Sequence, residues 1–178
     1  EALALSGAKC VKYISCRDYV RLIKSPQLYS FALRHGCNIL FNALEMQKKC
    51  EEMFPGNEDK LFTAYNIIDC EKAREDAKEE LDEEYKKFYD THRVIAFSSR
   101  FVEQKCQWDM LKSFELLKKD IPDAGLIFLG CRGEYENAVR EMAKKSEYSN
   151  DIVFAGFQKN VFKFVSRADV FAMTSYYE

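Results

Sequence analysis

The sequence VIAFSSRFVEQK, residues 94–105, indicates both the fold class and the place of a candidate site. Residues 94–97 form a short apolar run, which predicts a buried strand. Two serines follow, and then two cations, Arg100 and Lys105, before an amphipathic helix that is expected to begin near Gln107. Open α/β sheets bind ligands where a buried parallel strand runs into a loop ahead of a helix. An arginine and a lysine in that loop favour an anion, above all a phosphate.

The rest of the second half continues this pattern. Apolar runs predict further strands at residues 126–129, 152–155 and 170–173, and segments with one apolar helical face lie between them. Strands that alternate with helices of this length imply βαβ units. The predicted fold is therefore α/β, with a Rossmann-like parallel sheet and flanking helices.

The four predicted strands all end in small or polar residues. They run into Ser-Ser-Arg, Gly-Cys-Arg-Gly, Gly-Phe-Gln and Thr-Ser, respectively. Any one of these turns is explained as well by a tight connection between strand and helix. Four in series, one of them carrying both cations, predict an edge at which a ligand approaches the backbone.

The first seventy residues carry a second α/β pattern. Pro26 predicts the start of a helix and Gly36 its end. Strands are expected at residues 37–41 and 61–65, and Asn42 is expected to cap the helix between them.

The segment between the two halves changes character sharply. Residues 66–69, Asn-Ile-Ile-Asp, favour a turn, and the alternative is a segment that lines a cleft between two domains. Residues 71–90 are highly charged, with only weak apolar spacing at Leu81, Tyr85 and Phe88. They predict a solvated helix that bridges two lobes, with an acidic interaction surface as the alternative.

Composition excludes several classes of protein. The formal net charge of −2 gives no general attraction to nucleic acid, and no apolar run approaches the roughly 18 residues of a membrane span. The seven cysteines form no Cys-x-x-Cys pair and only two histidines accompany them, so no metal site is expected. Seven reduced thiols are typical of a cytosolic protein.

Residues 93–178 resemble the carboxy-terminal domain of the family 4, or group 1, glycosyltransferases, which are retaining enzymes of GT-B architecture. In that family a strand leads to Gly-Arg-Leu and then to Lys-Gly. Here residues 99–101 read Ser-Arg-Phe and residues 105–106 read Lys-Cys, so two glycines of the family pattern are replaced. The family's glycine pair, its Phe-Leu-Gly strand end and its Ser before Glu-Gly are matched, in order, by Gly130 and Gly133, by Phe154-Ala155-Gly156, and by Ser175 with Glu178.

The resemblance also implies a division of the chain. Residues 1–70 look like the end of the amino-terminal, acceptor-side Rossmann-like domain, residues 71–91 like a charged helical linker, and residues 92–178 like a truncated donor-binding domain. The family has a second glutamate eight positions after the one matched by Glu178, and it lies outside the sequence. We therefore expect the chain to be a central segment of a longer protein, and to be inactive alone.

The resemblance implies a hexosyltransferase that moves a sugar from a nucleotide-diphosphate sugar to a glycan or lipid-linked acceptor with retention of configuration. Arg100 and Lys105 would stabilise the departing diphosphate where other enzymes use a metal, and Glu178 would contact hydroxyls of the donor. No cofactor is expected. The nucleotide and its phosphates would bind against the small residues at the strand ends, namely Ser99, Gly130, Gly133, Gly156 and Ser175.

Two other functions stay open at this point. One is a non-catalytic module that binds a nucleotide sugar or a partner. The other is a dinucleotide-dependent oxidoreductase or epimerase, although neither the turn at residues 98–105 nor that at residues 130–133 has the Gly-x-Gly-x-x-Gly pattern. For the transferase we expect cytoplasmic polysaccharide or glycoconjugate biosynthesis. Peripheral association with the inner face of a membrane, through amino-terminal parts absent from this sequence, is an open alternative.

Overall fold

The computed structural model describes residues 9–177 of the chain. Between Ile68 and Asp69 the chain divides into two compact units, each built around its own parallel sheet. Both are layered α/β structures, so the predicted Rossmann-like class is confirmed.

The first unit is a three-stranded parallel sheet with helices packed on it. Its strands pair in the order β1, β2, β3. In chain order its elements are β1 (Lys12–Cys16), α1 (Tyr19–Lys24), α2 (Pro26–Arg34), β2 (Cys37–Phe41), α3 (Leu44–Met53) and β3 (Leu61–Thr63), with a 3-10 turn at Glu58–Lys60 before β3.

Local sequence signals fix most boundaries of this unit. Pro26 occupies the first turn of α2, as predicted, and Gly36 follows the helix with a φ of +73°. The prediction that Asn42 caps α3 is wrong, because Ala43 is the capping residue and no side chain caps that helix end. The Asn42 Oδ1 atom is instead buried, and no residue from 9 to 177 donates to it.

The second unit holds the longer sheet. Its elements are α4 (Cys70–Asp76), α5 (Glu83–Thr91), β4 (Arg93–Ser98), α6 (Gln107–Leu117), β5 (Ala124–Leu129), α7 (Glu136–Lys145), β6 (Ile152–Gly156), α8 (Phe162–Val165) and β7 (Val170–Phe171), with 3-10 turns at Glu103–Lys105 and Ser149–Asp151. The four strands are all parallel and lie in the order β6, β5, β4, β7. Their carboxyl ends therefore share one edge of the sheet.

The central strands β4 and β5 of the second unit are buried on both faces, which explains their nearly continuous apolar sequences. Ile95 and Phe97 of β4 pack in a cluster with Phe114 of α6 and Val139 of α7. The alternate β4 residues, 94 and 96, face a second cluster that includes residues of α5 and α8. Successive side chains of β4 therefore point to opposite faces of the sheet, and each helix packs on the sheet through one apolar stripe.

The charged segment before β4 differs from its prediction. Residues 71–90 form two helices rather than one, with α4 and α5 separated by residues 77–82. Leu81 and Phe88, at 6% and 8% exposure, are buried in the second cluster beneath the sheet. The weak apolar spacing therefore marks a packed face, and α5 belongs to the second unit's core.

Two further features bear on function. The last strand is shorter than predicted, since β7 covers only Val170–Phe171 and both residues are exposed. Within residues 9–177, none of the helices combines the length and apolarity that a membrane crossing requires.

Candidate functional site

Three of the four strand ends meet in one cavity at the carboxyl edge of the second sheet. The cavity has a volume of about 250 Å³. It is lined by Ser98, Ser99 and Arg100 after β4, by Leu129, Gly130 and Cys131 at the end of β5, and by Phe157, Gln158 and Val161 after β6. The convergence of Ser99, Arg100 and Gly130, expected from a parallel sheet, is observed.

The loops after β4 and β5 are packed backbone to backbone. The Ser99 amide donates to the Leu129 carbonyl at 3.1 Å, and the Gly130 amide donates to the Gly156 carbonyl at 2.7 Å. Gly130 has a φ of +129°, and a Cβ atom there would lie 2.2 Å from the Ser99 carbonyl oxygen. Glycine is thus required at this position by the fold itself, and its predicted role in ligand binding stays a prediction.

Glycine is also required at position 133 by close backbone packing, but Gly133 lies outside the cavity. A Cβ atom at this residue would lie 1.9 Å from the Phe101 carbonyl oxygen. The Phe101 amide donates to the Arg132 carbonyl at 3.1 Å, and its own carbonyl accepts from the Tyr135 amide at 3.2 Å. Gly133 therefore joins the two loops behind the cavity and does not line it.

Arg100 contributes an exposed positive charge to the wall of the cavity. Glu103 lies three residues after Arg100, so an exposed salt bridge between the two side chains would be an alternative role for Arg100. In the part of the chain that the structure describes, no ion pair forms between them, and none is made by Arg100. The guanidinium group is therefore available to an anionic ligand, which it can bind in bidentate fashion.

Lys105 lies elsewhere in the same loop. It ends the 3-10 turn Glu103–Lys105 and is half-buried, and its carbonyl accepts a hydrogen bond from the Thr174 hydroxyl at 3.1 Å. It does not line the cavity that holds Arg100. The structure thus places both residues beyond the carboxyl end of β4 without bringing Lys105 into that cavity.

The segment after β7 is tied to this loop. The Thr174 hydroxyl also contacts the Cys106 carbonyl at 3.0 Å, and the Tyr176 amide donates to the Gln104 carbonyl at 2.9 Å. The neighbouring Cys106 thiol and Asp109 carboxylate raise the pKa of Tyr176. The Ser175 Oγ atom is enclosed and has no hydrogen-bond partner among residues 9–177.

Two predicted site residues, Ser175 and Glu178, are not observed in the cavity. Ser175 does not line the cavity, although it follows the fourth strand of the same edge. Glu178 lies outside the described residues.

Sequence reasoning missed several residues of this edge. Phe157 and Gln158 were expected only as part of a strand end, yet both line the cavity, and Phe157 is 74% exposed. Cys131 also lines it. A residue that directly follows a buried strand in a parallel sheet is a candidate by position, and that signal could have found all three.

A fourth missed residue, Gln107, lies beneath the loop. Its side chain is completely buried, and its Nε2 atom donates to the Ser99 hydroxyl at 2.8 Å and to the Arg100 carbonyl at 2.6 Å. A polar residue opening an amphipathic helix gives no sign of burial, so the sequence could not have identified it.

The site offers hydrogen-bonding and positive groups rather than a metal-binding cluster. Among residues 9–177 there is no group of three or more His, Cys, Asp or Glu side chains that could hold a metal ion. The arrangement at the carboxyl edge can bind an anion through Arg100 and hydroxyl or backbone groups of the strand ends.

Comparison with known proteins agrees with this geometry. Residues 78–178 match the family model described as glycosyl transferases group 1. The chain is 29% identical over 150 residues to an uncharacterized glycosyltransferase of Methanocaldococcus jannaschii, covering 84% of this chain and 37% of that protein. It is 34% identical over 88 residues to a GDP-mannose-dependent monoacylated alpha-(1-6)-phosphatidylinositol monomannoside mannosyltransferase of Corynebacterium glutamicum, covering 48% of this chain and 22% of that protein.

Solved structures share the fold. HepE of Anabaena, crystallised with UDP and glucose, superimposes with a TM-score of 0.71 at 16% identity, over 92% of this chain and 46% of its own. TarM superimposes with a TM-score of 0.74 at 14% identity, over 98% of this chain and 34% of its own. The chain thus spans less than half the length of each of these relatives.

Proposed function

The chain belongs to the group 1 glycosyl transferases, and from this membership we propose that the complete protein transfers a sugar from a nucleotide-diphosphate sugar to a glycan or lipid-linked acceptor. The relatives support this donor class. The Corynebacterium glutamicum protein is named for its dependence on GDP-mannose, and HepE has been crystallised with UDP-glucose. We further propose that the sugar is a hexose, that its anomeric configuration is retained, and that the product belongs to a polysaccharide or glycoconjugate.

The observation that carries the proposal is Arg100 on the wall of the cavity, which makes no ion pair with any of residues 9–177 and lies beside two strand ends that present backbone and hydroxyl groups. In the reaction, the bond between the anomeric carbon and a phosphate oxygen breaks, and its electron pair leaves with the diphosphate. The acceptor hydroxyl oxygen bonds to the same carbon, and its proton passes to the departing diphosphate. Negative charge therefore grows where a fixed cation is most effective.

Arg100 is proposed to bind phosphate oxygens of the donor through its guanidinium fork. Lys105 is proposed to act as a second positive charge, and Glu178 to accept hydrogen bonds from donor hydroxyls. Fixed cations supply the charge that a metal ion would otherwise provide, so the proposed mechanism needs no resident metal.

The backbone of the loop supports a working transferase over a degenerate binding module. Cys106 stands where the family pattern has a glycine, and it adopts the left-handed conformation, with a φ of 50°, that glycine favours. The substitution therefore leaves a glycine-like turn in place.

The proposal is tested by hydrogen exchange on the complete protein with UDP-glucose or GDP-mannose. We expect one of these donors to slow exchange in residues 98–106, and Arg100→Ala to abolish the protection. Arg93→Ala is the matched control, because Arg93 lies at the opposite end of β4 in an exposed pair with Asp123. If no nucleotide sugar changes exchange in this loop, the proposed function is wrong.

A further inference from the structure

The loop that carries Arg100 is held from below by one buried amide side chain, that of Gln107. Gln107 is the first residue of α6 and is completely buried. Its Nε2 atom donates both to the Ser99 hydroxyl, at 2.8 Å, and to the Arg100 carbonyl, at 2.6 Å. The Ser99 hydroxyl itself donates to the Arg100 carbonyl at 3.0 Å, which closes a triangle of hydrogen bonds.

The triangle fixes the part of the loop that no sheet bond reaches. The Ser99 amide is already bonded to the Leu129 carbonyl, and the Ser99 carbonyl rests against Gly130. The Arg100 carbonyl accepts from Ser99, from Gln107 and from the Val102 amide. Three donors on one carbonyl set the direction in which the chain leaves β4, and so the position from which the Arg100 side chain starts.

The arrangement carries a cost that favours a functional origin. The Gln107 Oε1 atom is buried and has no hydrogen-bond partner among residues 9–177. An unpaired buried acceptor is destabilising, and an apolar side chain of similar size would avoid it. A residue retained for packing alone has no need of the amide.

From this geometry we infer that Gln107 is a positioning residue, which acts through Ser99 and Arg100 to hold the guanidinium in place for the donor diphosphate. The inference rests on the proposed function. It assigns Gln107 no contact with the donor, since Gln107 does not line the cavity. It also gives a use to Ser99, which stands where the family pattern has a glycine and whose hydroxyl is one corner of the triangle.

The test is a double-mutant cycle on the complete protein, with UDP-glucose and GDP-mannose as probes and calorimetry as the measurement. Gln107→Met removes both donated hydrogen bonds at nearly constant volume. We expect it to weaken donor binding by about tenfold in the wild-type background, which corresponds to the typical net contribution of one hydrogen bond. In an Arg100→Ala background the same change should weaken binding by less than about twofold, because the group it positions is gone.

A second measurement separates positioning from general damage. Hydrogen exchange in residues 98–106 of the free protein should accelerate in Gln107→Met, while exchange in β5 and α7 stays unchanged. Gln47→Met makes the same chemical change in the first unit, where Gln47 bonds to Glu51 and Thr63, and it should alter neither donor binding nor exchange in this loop.

The outcomes are distinguishable. If a donor binds and is weakened by Arg100→Ala but not by Gln107→Met, the inference is overturned and the proposed function stands. An equal loss in both backgrounds also overturns it, because Gln107 would then act independently of Arg100. If neither donor binds the wild-type protein, both the proposed function and the inference fail.

Discussion

The two edges of the second sheet differ in whether their charged and polar side chains have partners. At the amino edge, the buried Lys118 ammonium pairs with Asp151 at 2.7 Å, and the other oxygen of Asp151 contacts the His92 ring at 3.1 Å. At the carboxyl edge, Arg100 has no ion pair within residues 9–177, and the buried Oε1 atom of Gln107 has no partner there. One edge is internally satisfied and the other is not.

The difference shows where a ligand is expected to complete the structure. A buried polar atom without a partner lowers stability, so a fold retains such an atom where it serves binding. Backbone strain follows the same division. The non-glycine residues with positive φ in the described chain are Cys106 and Arg132, and both lie in loops of the carboxyl edge. We therefore interpret the charged groups of the amino edge as stabilising the fold, and we propose the carboxyl edge as the ligand-binding site.

The largest expected effect comes from replacing by alanine, one at a time, Arg93 at the start of β4 and Arg100 just beyond its end. Arg100→Ala should lower the turnover of nucleotide sugar by about 10²–10³-fold, as the loss of other preorganised electrostatic groups does. Arg93→Ala should change turnover by less than about twofold, because Arg93 does not line the cavity and its exposed ion pair contributes only about 0–1 kcal/mol to stability. Steady-state kinetics of the complete protein measures both.

Equal losses in the two variants would mean that the two edges do not differ in their effect on the donor. They would mean that positive charge acts on the donor through its long-range field rather than through a local site. Repeating the assay at high salt checks this, since a field effect is screened and a contact inside the cavity is screened much less.

The next effect concerns the amino edge. Lys118 is 5% exposed at its side chain, and its ammonium group donates to the Pro122 and Ala124 carbonyls and pairs with Asp151. Lys118→Met should lower the free energy of unfolding by about 3 kcal/mol, because it strands a partly buried carboxylate and two carbonyls. Urea denaturation followed by the fluorescence of Trp108, the single tryptophan of the chain, reports on this unit.

The same measurement on Arg100→Ala is the contrast. Arg100 is exposed and forms no ion pair in the described part of the chain, so its removal should change stability by less than about 0.5 kcal/mol. A large loss of stability from Arg100→Ala, or none from Lys118→Met, would reverse the assignment of the two edges.

The sequence predicted features that depend on neighbouring residues, and it could not predict contacts between residues far apart in the chain. The run at residues 94–97 and the proline at position 26 act locally, and the strand and helix they predict are present. Lys118 and Asp151 are 33 positions apart and sit among other charged residues, so their pairing depends on how α6 and β6 pack and has no signature in the sequence.

At the carboxyl edge the sequence predicted residues that line the cavity, but it did not predict the residue that supports their loop. Arg100 and Gly130 were predicted from strand ends, and both line the cavity. In the first unit, Asn42 was expected to cap α3 because of its residue type alone, but the neighbouring Ala43 is the capping residue. Gln107 was missed for the converse reason, because only tertiary packing reveals that a polar residue is buried.

A smaller effect tests the amino edge by pH. Burial opposes the ionisation of Asp151, but hydrogen bonds from Lys118 and His92 outweigh it and hold the pKa of Asp151 below its usual range. The unfolded chain therefore binds more protons than the folded protein at acid pH, and the contribution of Asp151 to stability is lost as pH falls below about 4. Urea denaturation between neutral and acid pH should show this loss.

Asp151→Asn is the control for that experiment. It cannot ionise, so its stability should depend less steeply on pH in the same acid range. An unchanged slope would mean that other carboxylates account for the acid sensitivity of this unit.

The smallest expected effect probes strain at the carboxyl edge through Arg132, whose φ is 64° and whose side chain is exposed. A non-glycine residue in the left-handed region costs about 1 kcal/mol or more. Arg132→Gly and Arg132→Ala remove the same guanidinium group, and they differ in whether the backbone is strained. The glycine variant should be about 1 kcal/mol more stable in urea, with turnover equal within about twofold because Arg132 does not line the cavity.

If the two variants are equally stable, the loop leaves the left-handed conformation when Arg132 is replaced, and the strain that distinguishes the carboxyl edge depends on the arginine rather than on the turn. If the glycine variant is instead slower, the strain itself helps to hold the loops around Arg100, and relieving it costs activity.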